Sequence, residues 1–170
     1  FSVMLPVERL DPPELLDLMI RLRQRAGLRC EPVGRNALDR IREALRANTI
    51  VGIGVDRITL GEGNVVDFCG RPARLPNAAA LLARRTGAPL LPVGCVRLSG
   101  DRYRVRIGPP ILSEPAGSIQ ADVRSLTERL LAALEIFLEQ NPTQWVMFRP
   151  VWESPTATRG ADERRSSVSV

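Results

Sequence analysis

The sequence predicts an α/β fold, with a mostly parallel or mixed central sheet flanked by helices. Three observations predict it. Apolar runs of strand length alternate with helical patterns, which is how layered α/β domains read. Residues 49–55, Thr-Ile-Val-Gly-Ile-Gly-Val, are apolar on both faces, as a parallel strand covered on both sides must be. Further along, residues 102–108 alternate Arg102, Arg104 and Arg106 with Tyr103, Val105 and Ile107, the period-two signature of an antiparallel hairpin strand.

The elements follow in order. Residues 1–7 read as a short apolar strand closing at Glu8. Asp11-Pro12-Pro13-Glu14 is a helix start, with Asp11 placed at the N-cap and a proline at the first helical position. Leu15, Leu18, Met19, Leu22 and Ala26 follow at helical spacing, and Gly27 suits the helix end. Residues 28–33 are a second strand. Asn36 is placed as the cap of a second helix, with Leu38, Ile41, Ala44 and Leu45 on its buried face, and Asn48 ends it. Residues 49–55 are expected to be a central strand, stopping at Asp56-Arg57. Gly52-Ile53-Gly54 lies inside that strand and reads as close backbone packing. Residues 64–69 are a strand, Pro76 opens a small-residue helix closed by Gly87, and residues 89–98 are an apolar strand turned by Ser99-Gly100-Asp101 into 102–108. The longest helix spans 121–140, striped with Leu126, Leu130, Leu134, Phe137 and Leu138, and Asn141-Pro142 stops it. Residues 144–152 are apolar and aromatic. From 153 to 170 the composition turns to Ser, Thr, Pro, Gly and charge, which reads as a disordered tail.

Composition bounds the chemistry. The chain has 170 residues, 44% of them hydrophobic, enough for one domain with a real core. No run approaches the ~18 apolar residues that a spanning helix needs. Three cysteines without a C-x-x-C pair do not make a disulfide or zinc framework, and each is expected to be a small buried hydrophobe in a strand. Histidine is absent, so the chain holds no Ser-His-Asp triad, no Cys-His pair and no histidine base. Catalysis by this chain alone would fall to a carboxylate, thiol or hydroxyl. All basic residues are arginine, and the net charge of +5 suits an anionic partner.

In open α/β sheets ligands sit beyond the carboxyl ends of strands, which singles out Glu8 and Asp56. Asp56 with Arg57 suits a charged site rim, or else a loop ion pair or helix cap. Glu8 suits orientation of a hydroxyl or a base, or else a pair with Arg9 or a neighbouring helix. Arg21, Arg23 and Arg25 surround the end of the first helix, where at most one or two can share a face. Arg71, Arg74, Arg84 and Arg85 cluster around 76–86 and could meet phosphates. They lack interleaved aromatics, so no nucleic-acid partner is expected. The Arg102, Arg104 and Arg106 row reads as charge protecting a sheet edge.

Several segments in order carry a resemblance: VERLDPPELLDLMIRLRQRAGL, ALRANTIVGIGVDR, VVDFCGRPARLPNAAALLARRTGAPLLPV, RYRVRIGPPI and NPTQWVMFRPVW. Together these resemble the bacterial lipid A biosynthesis acyltransferase family, which includes lauroyl, myristoyl and phosphatidylinositol mannoside acyltransferases. The resemblance covers roughly residues 3 to 152. It implies a glycerophosphate-acyltransferase-like fold, with residues 1–152 as the C-terminal portion of the domain and its N-terminal part missing. It also implies transfer of a fatty acyl chain from acyl-CoA or acyl carrier protein to a hydroxyl of a membrane glycolipid or lysophospholipid. No cofactor is implied. Peripheral association with the cytoplasmic face of the bacterial plasma (inner) membrane is. In the family a His-x4-Asp/Glu motif supplies the base, upstream of the matched region, and this chain, without histidine, lacks it. Phe1 begins inside a strand, so truncation is the expectation and the chain alone is expected to be inactive. By resemblance the substrate-binding residues are Glu8, Arg23, Asp56, Arg57, Phe68, Gly70, Pro76 and Pro92, with the glycine and prolines also able to serve the backbone alone. The alternatives are a non-catalytic lipid- or carrier-binding remnant and an arginine-rich nucleic-acid binder.

Overall fold

The structure is a computed structural model, and it describes residues 1–60 and 63–152. The tail expected over 153–170 lies outside the described residues. The elements run β1 (Val3–Val7), α1 (Pro13–Arg25), β2 (Arg29–Pro32), α2 (Ala37–Arg46), β3 (Ile50–Val51), β4 (Gly63–Phe68), β5 (Arg71–Pro76), α3 (Ala78–Thr86), β6 (Val93–Arg97), β7 (Tyr103–Ile107) and α4 (Ile119–Gln140). The fold is α/β, as expected, but the strands form three small sheets. A parallel sheet has the order β2-β1-β3, and β4-β5 and β6-β7 are separate antiparallel pairs.

The expected central strand over 49–55 is corrected. Only Ile50 and Val51 join the ladder, against Val3 and Met4, and β3 is an edge of its sheet among the described residues. Its apolar character has another cause. Val51 and Ile53 pack against a cluster of Met4, Ile41, Ala44 and Leu82, while Ile53 and Val55 pack against one containing Ala80, Val123 and Leu126. Hydrophobic patterning reports that both faces of a segment are covered; it is silent on whether its backbone has a pairing partner. Gly52 does mark a close approach, since a Cβ there would lie 2.6 Å from the Leu5 side chain.

Alanine-rich α3 is the keystone of the packing. Ala78 and Leu82 belong to the first cluster, and Ala79 and Ala80 to the second. Small side chains let helices approach at the short end of the usual interaxial range. A third cluster, Val66, Phe68, Ala73, Leu75 and Leu131, joins β4-β5 to α4. Between α3 and α4, Arg84 Nε donates to Asp122 Oδ2 at 2.7 Å, and Asp122 Oδ1 accepts from the backbone N–H of Ala116 and Gly117. Arg84 is therefore committed to holding two helices together, and is not free for phosphate.

Other expectations shift by local physics. The N-cap of α1 is Pro12, not Asp11, and its side chain makes no capping bond. Pro76 ends β5 and α3 starts two residues later, because the hairpin ladder pairs Pro76 with Gly63. None of α1 is buried, and Leu15, Leu18 and Leu22 remain exposed, because the helix packs on β2 along one side only. Cys69 and Cys95 are exposed and Cys30 is half-buried. Cys69 sits in the two-residue turn between β4 and β5, where it and Gly70 both have positive φ, 52° and 72°. That is the turn the right-handed twist of a hairpin favours.

The β6-β7 pair is antiparallel, as expected, and its arginine face lies toward α4. Gly94 and Val96 pair with Arg106 and Arg104, and that side faces the end of α4. Arg106 Nη1 donates to Gln140 Oε1. Tyr103, Val105 and Ile107 are left outside, 59–65% exposed. Arg104 and Arg106 remain exposed on the side toward the end of α4.

Candidate functional site

β1 and β3 run parallel and adjacent, so their carboxyl ends open on the same side of the sheet. Glu8 follows β1 immediately, and the chain beyond β3 brings Asp56 and Arg57 to that end. Arg57 Nη2 lies 2.5 Å from Glu8 Oε2. The two side chains keep 43% and 37% of their exposure, so this ion pair is reachable from solvent. Glu8 thus pairs with Arg57, not with Arg9 or a helix.

Asp56 is held from another direction. Trp145 Nε1 donates to Asp56 Oδ2 at 3.3 Å. The indole is itself fixed edge-on to Phe68 and to Trp152, each with ring centroids 5.9 Å apart. Trp152 stacks on Phe68 at 6.5 Å, and its Nε1 donates to the Phe68 carbonyl at 2.8 Å. Arg71 lies over the Trp152 ring, 5.4 Å from its centroid, a cation–π contact. A continuous set of contacts therefore runs from an acidic and basic rim, through a tryptophan, into an aromatic core. Burial positions the rings, and the indole N–H groups, which need partners when buried, tie that core to the rim.

Of the residues singled out from sequence, Glu8, Asp56, Arg57 and Phe68 belong to this set. Gly70 forms the β4-β5 turn behind Phe68, where Asp67 Oδ1 accepts from its backbone N–H at 3.0 Å. Pro76 is buried at the end of β5. Pro92 is buried just before β6, where its carbonyl accepts from Gly108 at 2.8 Å. Arg23 lies half-buried in the last turn of α1, its carbonyl accepting from Ala26 and Leu28. These three make their recorded contacts away from the rim. Trp145 and Trp152 were not singled out, although the aromatic run at 144–152 was visible, and Arg71, expected in a phosphate-meeting cluster, lies instead over Trp152. Two tryptophans in a chain with only 4% aromatic residues were the available signal.

Cys69 is the exposed thiol nearest these aromatics in sequence. Its backbone N–H donates to Glu135 Oε1 at 2.6 Å. Partial burial, and then the charges of Glu135, Glu139 and Asp67, push its thiol pKa up, which disfavours the nucleophilic thiolate. Chemically the rim can accept hydrogen bonds through two carboxylates and pair with anions through Arg57. Its residues include no imidazole to take a proton.

A family model described as bacterial lipid A biosynthesis acyltransferase matches residues 3–154. The phosphatidylinositol mannoside acyltransferase of Mycolicibacterium smegmatis is 30% identical over 166 residues, covering 96% of this chain and 51% of that protein. The protein of the same name from Mycobacterium tuberculosis is 30% identical over 148 residues, covering 85% of this chain and 45% of that protein. The chain thus spans about half the length of the curated relatives it matches.

Proposed function

The chain belongs to the bacterial lipid A biosynthesis acyltransferase family, and from that premise we propose that it forms the acceptor-side half of an acyl-transfer site on a glycerophosphate-acyltransferase-like fold. The reaction moves a fatty acyl group from the thioester of acyl-CoA or acyl carrier protein to a hydroxyl of a membrane glycolipid or lysophospholipid. The acceptor oxygen forms the new ester bond at the thioester carbonyl, the C–S bond breaks, and the hydroxyl proton passes through a base to the departing thiolate. A histidine of the family's His-x4-Asp/Glu motif, supplied outside these residues, is that base. Glu8 orients the acceptor hydroxyl or the imidazole. Arg57 holds Glu8 in place and offers a positive charge to the acceptor's phosphate. Asp56, fixed by Trp145, forms the second acidic side of the rim. Phe68 supports the wall beneath Trp145. Arg23, Gly70, Pro76 and Pro92 complete the binding side, the glycine and prolines by setting the backbone. Peripheral attachment at the cytoplasmic face of the inner membrane brings the site to its lipid.

The observation that carries this reading is the contact between Glu8, which follows β1, and Arg57, on the chain beyond β3, in a chain of an acyltransferase family. The test is transfer of a radiolabelled acyl group from acyl-CoA to a mannosylated inositol lipid, with the complementary segment bearing the motif co-expressed. Transfer should appear with the segment and drop on Glu8→Gln by roughly the 10²–10⁴-fold typical of a lost acid–base or orienting partner. The absence of histidine favours one second reading, a non-catalytic lipid- or carrier-binding remnant. Binding of the glycolipid without transfer, even with the segment supplied, would establish that reading and overturn the first.

A further inference from the structure

The side of the β6-β7 pair that faces α4 borders a small hollow of about 60 Å³. Its floor is apolar. Gly94 has no side chain, so the Phe137 ring closes against the strand there, and Val96 lies beside it. Its polar lining is Arg104, Arg106, Gln140 and Asn141. Arg106 Nη1 donates to Gln140 Oε1, which steadies that guanidinium and leaves the Gln140 amide nitrogen unpaired among the described residues. The Arg104 guanidinium has no partner among the described residues. No carboxylate of the described residues lines the hollow. Phe137 faces it, and Glu135 and Glu139, two positions to either side, are turned about 200° away around the helix. Glu135 accordingly accepts from the Cys69 backbone N–H in the β4-β5 turn at 2.6 Å. The end of α4 contributes about half a negative charge. Two guanidinium groups outweigh it, so the hollow is positive.

We propose that this hollow is a phosphate-binding site. Its size fits: one water takes about 10–15 Å³ of such a cavity, so there is room for about four to six, the space of a phosphate's four oxygens. Its chemistry fits as well. Guanidinium forks match phosphate oxygens in pairs, and the free amide nitrogen of Gln140 adds a neutral donor. The hollow is also near the acidic rim. Asn141 and Trp145 are separated by the single turn Pro142–Gln144, a span of at most about 14 Å, and Trp145 donates to Asp56. The source of the phosphate rests on the acyl-transfer reading. On that reading it belongs to the thioester donor, because coenzyme A and the prosthetic arm of acyl carrier protein both carry phosphate at a distance from their sulfur, whereas the acceptor's phosphate is assigned to Arg57.

The test is titration of the 170-residue chain with inorganic phosphate at low ionic strength, read from the phosphorus-31 linewidth. Arg104→Gln and Arg106→Gln should each weaken binding by about tenfold, as loss of a charged hydrogen-bond donor does. Gln140→Glu should weaken it at least as much, because the new carboxylate pairs with Arg106 and repels the phosphate. Both arginines are exposed, so the fold should survive, and far-ultraviolet circular dichroism checks each variant. Arg97→Gln removes the same charge from the opposite face of the hairpin, where Arg97 pairs with Tyr103, and should leave binding intact. Coenzyme A should displace inorganic phosphate better than 3′-dephospho-coenzyme A and better than glycerophosphoinositol. The reverse preference, for glycerophosphoinositol, keeps the phosphate site and moves its source to the acceptor.

Wild-type binding by Arg104→Gln with Arg106→Gln would overturn the proposal, as would an equal loss in Arg97→Gln, which would mean diffuse charge. So would equal displacement by acetate, which would make the hollow a general anion or acidic-protein contact, or the absence of line broadening at millimolar phosphate. Inorganic phosphate needs no acyl transfer, so failure of the acyl-transfer reading leaves this result standing. A hollow that binds no phosphate, in turn, leaves the Glu8 test of transfer intact.

Discussion

Glu8 and Arg57 are in contact but partly exposed, and exposed pairs contribute only about 0.2–1 kcal/mol to stability. Arg57→Gln should therefore leave the urea midpoint nearly unchanged while weakening glycolipid binding. A large loss of stability with unchanged binding would make the pair structural. Asp122 behaves oppositely. The side-chain hydrogen bond from Arg84 comes first in holding its carboxyl below the usual carboxylate range, and the N–H groups of Ala116 and Gly117 reinforce it against burial. A carboxyl whose folded pKa is depressed contributes stability above its unfolded value, about pH 4, and that contribution is lost as pH falls through the folded value. Urea midpoints measured downward from pH 6 should fall below about pH 4 for the wild type. Asp122→Asn should be less stable at neutral pH and lack that component of the acid loss. Parallel acid limbs for the two proteins would refute the assignment.

At the scale of elements, β6 meets the end of α4 only because position 94 has no side chain. A Cβ there would stand 2.6 Å from the Phe137 ring. Gly94→Ala should force the ring aside at a cost of about 1–3 kcal/mol, the usual price of overpacking, read as a lowered thermal midpoint. No change would mean that the hairpin is only loosely seated. The β4-β5 turn needs left-handed backbone at Gly70, so Gly70→Val should cost about 1–2 kcal/mol and loosen Phe68 beneath Trp145. A blue-shifted, protected tryptophan emission that persists in that variant would contradict the link between turn and aromatic wall. That Glu8 and Asp56 each close an apolar run could be read from the sequence, because an apolar run closing on a charge is a local pattern. The partners of those residues could not. Arg57 reaches Glu8 from 49 positions along the chain, and Trp145 reaches Asp56 from beyond α4.

For the molecule as a whole, no helix among the described residues is long and apolar enough to cross a membrane, and the family match covers only part of its relatives' length. The purified chain, with no histidine, should transfer no labelled acyl group from acyl-CoA by itself. Measurable turnover would show that a carboxylate or hydroxyl of this chain is base enough, and would remove the need for an external imidazole.

The α/β class, the four α-helices of the described residues, the β6-β7 hairpin and the membership of an acyltransferase family were all determined by the sequence itself. Each rests on short-range periodicity or on the order of motifs along the chain. Tertiary structure alone decided that the apolar run after Asn48 contributes only Ile50 and Val51 to a sheet edge and is otherwise covered by side-chain packing. It also decided that the hairpin turns its arginines toward α4 and its valine, isoleucine and tyrosine outward, and that two tryptophans brace the acidic rim. The physical reason is common to all three. Hydropathy records which side chains gain from leaving water, whereas the choice of neighbour is settled by contacts between residues far apart in the chain, and those carry no local imprint.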